Sequence, residues 1–91
     1  MTPPLARESR RTVRVADPEG LHARPCAAVA RAAAKFRSRV VVVHDGREAD
    51  ARSVLELLAL GVLSSSEIEL RATGDDAEAC VAALAAIVAG K

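Results

Sequence analysis

Hydrophobic and polar positions alternate along this chain in two distinct rhythms. Val13 and Val15 fall on one face of a short predicted strand, Thr12 to Ala16. From about Ala23 to Phe36 the apolar residues Cys26, Val29, Ala30, Ala33 and Phe36 recur at helical spacing, with Arg31 and Lys35 off that stripe. Val40 to His44 is an apolar, β-branched run that predicts a strand, and Asp45-Gly46 is a strong hairpin signal before a return strand, Arg47 to Ala51. A short helix is expected from about Ser53 to Leu60, ending near Gly61. Ser53-Val54-Leu55-Glu56 has the form of a capping box with Ser53 as the cap. Glu67 to Ala72 alternates again, with Ile68, Leu70 and Ala72 on one face. A last helix, Asp76 to Ala89, turns Ala77, Val81, Leu84 and Val88 to the core.

The predicted order is βαββαβα. One-sided alternation in the last strand fits an α+β domain: one four-stranded, mostly antiparallel sheet with three helices on one face. The chain has 91 residues, enough for one domain and not two. Residues 1–11 hold Pro3, Pro4, Arg7, Arg10 and Arg11 without periodicity, and are expected to form a flexible tail, leaving 12–91 as the folded domain.

Composition narrows the choice of function. Aromatic residues make up 1%, with Phe36 alone, so the core is aliphatic and stacking-based recognition of single-stranded nucleic acid is disfavoured. Net charge is +1, but residues 1–39 carry nine basic and three acidic side chains, and residues 40–91 carry four basic and nine acidic. Between Arg24 and Arg39 there are five basic residues and no acid. Such a run is most often a solvated helix face. It also suits an acidic protein partner, whereas no recognition-helix motif accompanies it to indicate DNA. Cys26 and Cys80 sit at apolar helical positions with no CxxC and no His pair at metal spacing, so two reduced, buried thiols are expected and no metal or cofactor. No apolar run is long enough to span a bilayer and the first residues do not resemble a signal peptide, so a cytoplasmic protein is expected.

The chemistry concentrates at Gly20-Leu21-His22-Ala23-Arg24-Pro25, where the first strand gives way to the first helix. This places His22 at a helix N-terminus, where free N–H groups and the positive end of the macrodipole favour anions. There an imidazolium is disfavoured and the neutral ring is a nucleophile. A phosphoryl group taken by His22 would lie against the N–H groups and the Arg24 guanidinium. His44, at a strand end without ligand-like neighbours, reads as a surface histidine. A catalytic triad is not expected, because no Ser or Cys is poised with His22 and an orienting acid.

This motif, with Asp45-Gly46 at the hairpin and Arg52-Ser53-Val54-Leu55 through Leu60-Gly61, resembles the HPr family, histidine-containing phosphocarriers of the bacterial phosphotransferase system. The resemblance spans roughly residues 12–89 and includes the separation between His22 and Ser53. It implies an HPr-like open-faced β-sandwich. It also implies that His22 accepts a phosphoryl group on Nδ1 from phosphorylated enzyme I and donates it to an enzyme II A-domain, with Arg24 neutralising and positioning the phosphate. Turnover without partners is not implied.

Ser53 matches the serine phosphorylated by a dedicated kinase/phosphorylase in some bacteria; the residues alone make it a helix cap worth about 1 kcal/mol. A partner surface is expected around His22, on Ala23, Pro25, Arg31, Leu55 and Leu58. Leu55 and Leu58 match family positions there, and the alternative is that both are buried core residues. A monomer is the default for such a carrier. The second helix also resembles that of the nitrogen-related paralogue, so a regulatory relative acting by phosphorylation-dependent protein binding stands beside the carrier reading, as does an unrelated small α/β domain. Cys26 departs from the Ala common in the family, and so near a helix N-terminus its thiol is open to a lowered pKa.

Overall fold

A computed structural model describes residues 7–91. The elements follow the expected order: β1 (Glu8–Arg14), α1 (Ala23–Ala33), β2 (Arg39–His44), β3 (Arg47–Asp50), α2 (Val54–Ala59), β4 (Glu67–Thr73) and α3 (Ala77–Val88). The strands form one sheet in the order β1-β4-β2-β3. All three pairings are antiparallel, with Val13 opposite Ile68, Val42 opposite Leu70 and Val42 opposite Ala49.

One face of this sheet supplies the core. Val40, Val42, Ala49, Ile68, Leu70 and Ala72 are all buried and meet Cys26, Val29 and Ala33 of α1, Leu57 of α2, and Ala77, Val81, Leu84 and Val88 of α3. The helical stripe read from the sequence is the face that packs, except that Ala30 is half-buried and Phe36 lies beyond the helix, partly buried against the core. The opposite face of the sheet carries charge, with Arg71 paired to Glu69 and Glu48 and Arg14 to Glu67. Both edge strands are polar, which blunts their tendency to pair with other chains.

The expected tail is the main correction. Residues 1–6 of it lie outside the described residues, but Glu8 to Arg11 are the first half of β1, paired with Leu70 to Thr73 of β4. Alternation misses them because an edge strand needs only the backbone ladder, and here it carries Glu, Ser and Arg in place of core residues.

Ser53 caps α2 as read: its hydroxyl accepts from the Glu56 N–H at 3.1 Å. The reciprocal half of the capping box does not form. The Glu56 carboxylate accepts instead from the Asp50 N–H at 3.0 Å, while the Ser53 N–H goes to the Asp50 carbonyl. The start of α2 is thereby tied to the end of β3.

Candidate functional site

The link between β1 and α1 is built by hydrogen bonds within residues 17–26. Pro18 has no N–H, and Asp17 closes the turn around it: Oδ1 accepts from the Glu19 N–H at 2.9 Å and the carbonyl from the Gly20 N–H at 2.9 Å. Gly20 has φ +77, and a Cβ there would lie 2.4 Å from the Val62 carbonyl oxygen. Only glycine satisfies both the backbone angle and that approach. Leu21 then donates its N–H to the same carbonyl at 3.0 Å and is buried. The segment that follows α2 is thus the platform on which the His22 turn rests.

His22 is the N-cap of α1, with extended backbone, and its carbonyl accepts the Cys26 N–H at 3.0 Å. Its side chain makes no capping bond. Pro25, third in the helix, brings no N–H, so the unpaired donors of the first turn reduce to those of Ala23 and Arg24. The first turn contains no acidic residue, and nothing on α1 itself opposes an incoming anion.

The imidazole is less exposed than a bare turn position implies, with its side chain 32% accessible. What covers it is Asp17: its Oδ2 lies 3.0 Å from Nε2. Asp17 is held below the usual carboxylate range by the Glu19 N–H first, then by the His22 hydrogen bond and the nearby charges of His22 and Arg24. An ionised carboxylate only accepts, so Nε2 carries the hydrogen of this bond. Nδ1 has no hydrogen-bond partner among the described residues. Asp17 is an acid that orients His22, a contact the sequence pattern does not show. Its signal was the Asp-Pro turn five residues upstream, which identifies a turn but not the direction of its second carboxylate oxygen.

Asp17, Glu19 and His22 bring one ligand atom each within 4.8 Å of one another. Both Asp17 oxygens are already engaged, by Glu19 and by His22. This accounts for the cluster as a hydrogen-bonded turn.

The other candidate residues distribute around the α1–α2 pair. Ala23 and Arg24 are exposed, and Pro25 is half-buried beside them. Arg31 lies in the last turn of α1, roughly 13 Å along the axis from His22 at 1.5 Å per residue. Leu55 is 79% exposed and Leu58 37%, so Leu55 is not a core residue and Leu58 is only partly covered; Leu57 fills the core position of α2. Leu63, at 73% exposure, was missed. Burial of Leu60 and Val62 on either side of Gly61 hides from a sequence pattern that the next residue faces outward.

Ser53 and His22 sit at opposite ends of this surface. The Leu21 N–H meets the residue just past the C-terminal end of α2, whereas Arg52, beside Ser53, donates to the Phe36 carbonyl just past α1.

Two smaller expectations are corrected. The Cys26 thiol is pushed up, not down, by burial, and it donates to the Leu21 carbonyl at 3.3 Å; Cys80 is likewise raised, by burial and then by Asp76. Both cysteines are buried and unpaired, as read. His44 is no open surface residue: its side chain is 16% accessible and its Nδ1 lies 3.2 Å from the Glu67 carbonyl. The tight hairpin folds it back against the first residue of β4.

An open-faced α+β domain that presents a histidine, Nδ1 free, at an uncapped helix N-terminus has an arrangement suited to receiving an anion. Comparison with known proteins gives the family. The family model described as the PTS HPr component phosphorylation site matches residues 9–90. Phosphocarrier protein HPr of Treponema pallidum is 40% identical over 77 residues, covering 85% of this chain and 84% of the relative. The multiphosphoryl transfer protein of Vibrio cholerae is 40% identical over 85 residues, and the chain spans only 21% of its length. Among solved structures, the phosphocarrier protein HPr of Bacillus anthracis superposes with a TM-score of 0.85 at 32% identity, covering 89% of this chain and 96% of that one. The chain belongs to the HPr family of phosphotransferase-system phosphocarriers.

Proposed function

We propose that this chain accepts a phosphoryl group from phosphorylated enzyme I on Nδ1 of His22 and passes it to an enzyme II A-domain. The observation that carries this reading is the state of the ring: Nε2 is engaged by Asp17 and Nδ1 is without a partner among the described residues, on the cap residue of a helix whose Ala23 and Arg24 N–H groups are likewise unpaired there. In the neutral ring the acceptor atom is then an unprotonated lone pair, at a helix start whose donors suit phosphate oxygens. Arg24 adds an exposed guanidinium that makes no hydrogen bond among the described residues and is available to a phosphate at His22. Two N–H groups and one arginine stabilise the phosphohistidine without trapping it, which a group in transit requires.

Both partners dock, in this reading, on Ala23, Pro25, Arg31, Leu55 and Leu58, joined by Leu63. The exposed leucines supply an apolar centre and the α1 arginines a basic rim that attracts acidic partners. No helix among the described residues is long and apolar enough to cross a membrane, and we assign the carrier to the cytoplasm as a monomer. Ser53 is a candidate for regulation by a serine kinase/phosphorylase. A phosphate there adds a charge of roughly −1.5 to −2 at the far end of the same surface, where it would repel an acidic partner.

The test is incubation with phosphoenolpyruvate and enzyme I, followed by intact mass and acid lability. One acid-labile phosphoryl group is expected on the wild type and none on His22→Ala, whose circular dichroism stays native. An unmodified wild type in the presence of active enzyme I from the same genome would overturn the assignment.

A further inference from the structure

We infer that Asp17 is a positioning residue for phosphoryl transfer: it holds His22 in the tautomer whose hydrogen is on Nε2, which leaves Nδ1 bare for attack. This rests on the carrier reading above and adds a residue to it. The argument is the division of labour between the two oxygens of one carboxylate. Oδ1 is fixed by the Glu19 N–H at 2.9 Å, which sets the orientation of the group, and Oδ2 is thereby presented to Nε2 at 3.0 Å. Asp17 is itself anchored by its carbonyl, which accepts the Gly20 N–H in the turn that docks on the Val62–Leu63 segment. Backbone bonds thus fix both the carboxylate and the carbonyl of Asp17, and the carboxylate sets the hydrogen of the imidazole.

The transfer balances with the hydrogen in that place. The Nδ1 lone pair forms the N–P bond, and the bond between phosphorus and the donor atom breaks with its electron pair returning to the donor. Nδ1 has no proton to lose. Nε2 keeps its own, so the phosphorylated ring is an N-phosphoimidazolium whose positive charge faces the Asp17 carboxylate. In the onward step the N–P electrons return to Nδ1, and the ring regains its starting tautomer without external acid or base. With the hydrogen on Nδ1 instead, the same attack first requires a proton transfer that no described side chain near Nδ1 is placed to perform.

Asp17→Asn inverts the arrangement while preserving the turn. The Asn carbonyl oxygen keeps the Glu19 N–H, and its amide NH2 is then presented to Nε2, which must accept and therefore give up its hydrogen to Nδ1. Asp17→Ser keeps an oxygen for the Glu19 N–H and offers Nε2 nothing, which guards against a folding failure of the first variant. The experiment is two-bond 15N–1H correlation NMR of the His22 ring in the free protein, together with the rate of phosphoryl acceptance from enzyme I.

The wild type is expected as the Nε2–H tautomer, Asp17→Ser as a mixture and Asp17→Asn shifted to Nδ1–H, with acceptance slower by roughly tenfold or more in Asp17→Asn. A wild-type ring that is chiefly Nδ1–H, or one whose tautomer is indifferent to both substitutions, overturns the inference while leaving carrier function intact. A wild type that takes no phosphoryl group at all removes the carrier reading, and with it the transfer role of Asp17, whatever the spectra show.

Discussion

The starts of α1 and α2 pose the same physical problem and solve it differently. At α2, Ser53 accepts the Glu56 N–H and the Glu56 carboxylate ties back to Asp50, so this start is closed by a side-chain cap, with the Val54 and Leu55 N–H groups left without partners among the described residues. At α1, the cap position holds His22, which makes no capping bond, and Pro25 removes one of the donors a cap would have satisfied. The acid near α1 is drawn away too: Asp17 spends its oxygens on Glu19 and the imidazole. Both starts therefore leave two first-turn N–H groups without a partner among the described residues; what differs is that a side-chain cap covers the start of α2 and none covers that of α1. In the proposed reading the α1 start gives up that cap, at some loss of local stability, so that a phosphate can reach its donors.

The largest effect comes from giving the open start a cap of the kind that closes α2. His22→Ser should abolish phosphoryl acceptance completely, read by intact mass after incubation with enzyme I. It should also raise stability slightly, by about 0.5 kcal/mol, at the low end of the capping range. The gain is small because Pro25 leaves only the Arg24 N–H within reach of the new hydroxyl. A thermal melt that falls below wild type would mean that the imidazole–Asp17 pair contributes more to the fold than an uncapped helix costs.

Disturbing the platform under the α1 start should have the next strongest effect. Gly20 and Gly61 both have positive φ, +77 and +63, but a Cβ at Gly20 meets the Val62 carbonyl oxygen at 2.4 Å and one at Gly61 meets nothing within 4 Å. Gly61→Ala should therefore cost about 1 kcal/mol, from backbone conformation alone. Gly20→Ala should cost about 3 kcal/mol, since the turn must also lift from the segment it rests on. Denaturant melts of the two variants separate the shared backbone cost from the close approach. Equal losses would show that the turn yields without strain.

This contrast also explains how much was legible in the sequence. Element order, sheet type and the core faces of α1, β4 and α3 follow from periodicity, because those elements bury one side of a regular repeat. The motif from Gly20 to Pro25 is legible because Gly20 is demanded by backbone angle and close approach, and Pro25 is a residue that helices accept only near their start. What escaped is held by contacts without a period. Glu8 to Arg11 join the sheet through backbone alone. Leu63 turns outward after an irregular segment, and Asp17 reaches His22 through a turn whose side-chain direction no residue spacing encodes. His44 differs for a related reason: its cover comes from the Glu67 carbonyl, distant in sequence. Cys26 is buried as expected, and that same burial outweighs the helix N-terminus and raises its thiol.

A smaller effect tests the closed start. Ser53→Ala removes the hydroxyl that accepts the Glu56 N–H and should destabilise the domain by about 1 kcal/mol. The Glu56–Asp50 bond persists, so α2 should survive, and acceptance at His22 should stay within about twofold of wild type because the two helix starts lie at opposite ends of the surface. A much larger loss of acceptance would indicate that the α2 cap positions the partner surface.

The smallest effect concerns the two carboxylates that fasten loops near helix starts. Asp76 is held below the usual range chiefly by the Ser38 hydroxyl, then by the Arg37 N–H, and Asp17 by the Glu19 N–H and then His22. Both are depressed in the folded state, so below the ordinary carboxylate value of about 3.9 the unfolded chain binds more protons than the folded one. Their contribution is therefore fully present above that value and lost as pH falls through the depressed folded values. The melting temperature should decline below about pH 4. Asp76→Asn should start lower at neutral pH and decline less steeply, since one of the linked protons is gone. Asp17→Asn should do the same more weakly: Asp76 joins the loop before β2 to the start of α3 through two backbone donors and a hydroxyl, whereas Asp17 closes a turn within five residues. Melts from about pH 7 down to about pH 2.5, spanning the carboxylate range, decide the order. A steeper decline in either variant than in wild type would reverse the sign of the linkage and remove these carboxylates from the account of acid stability.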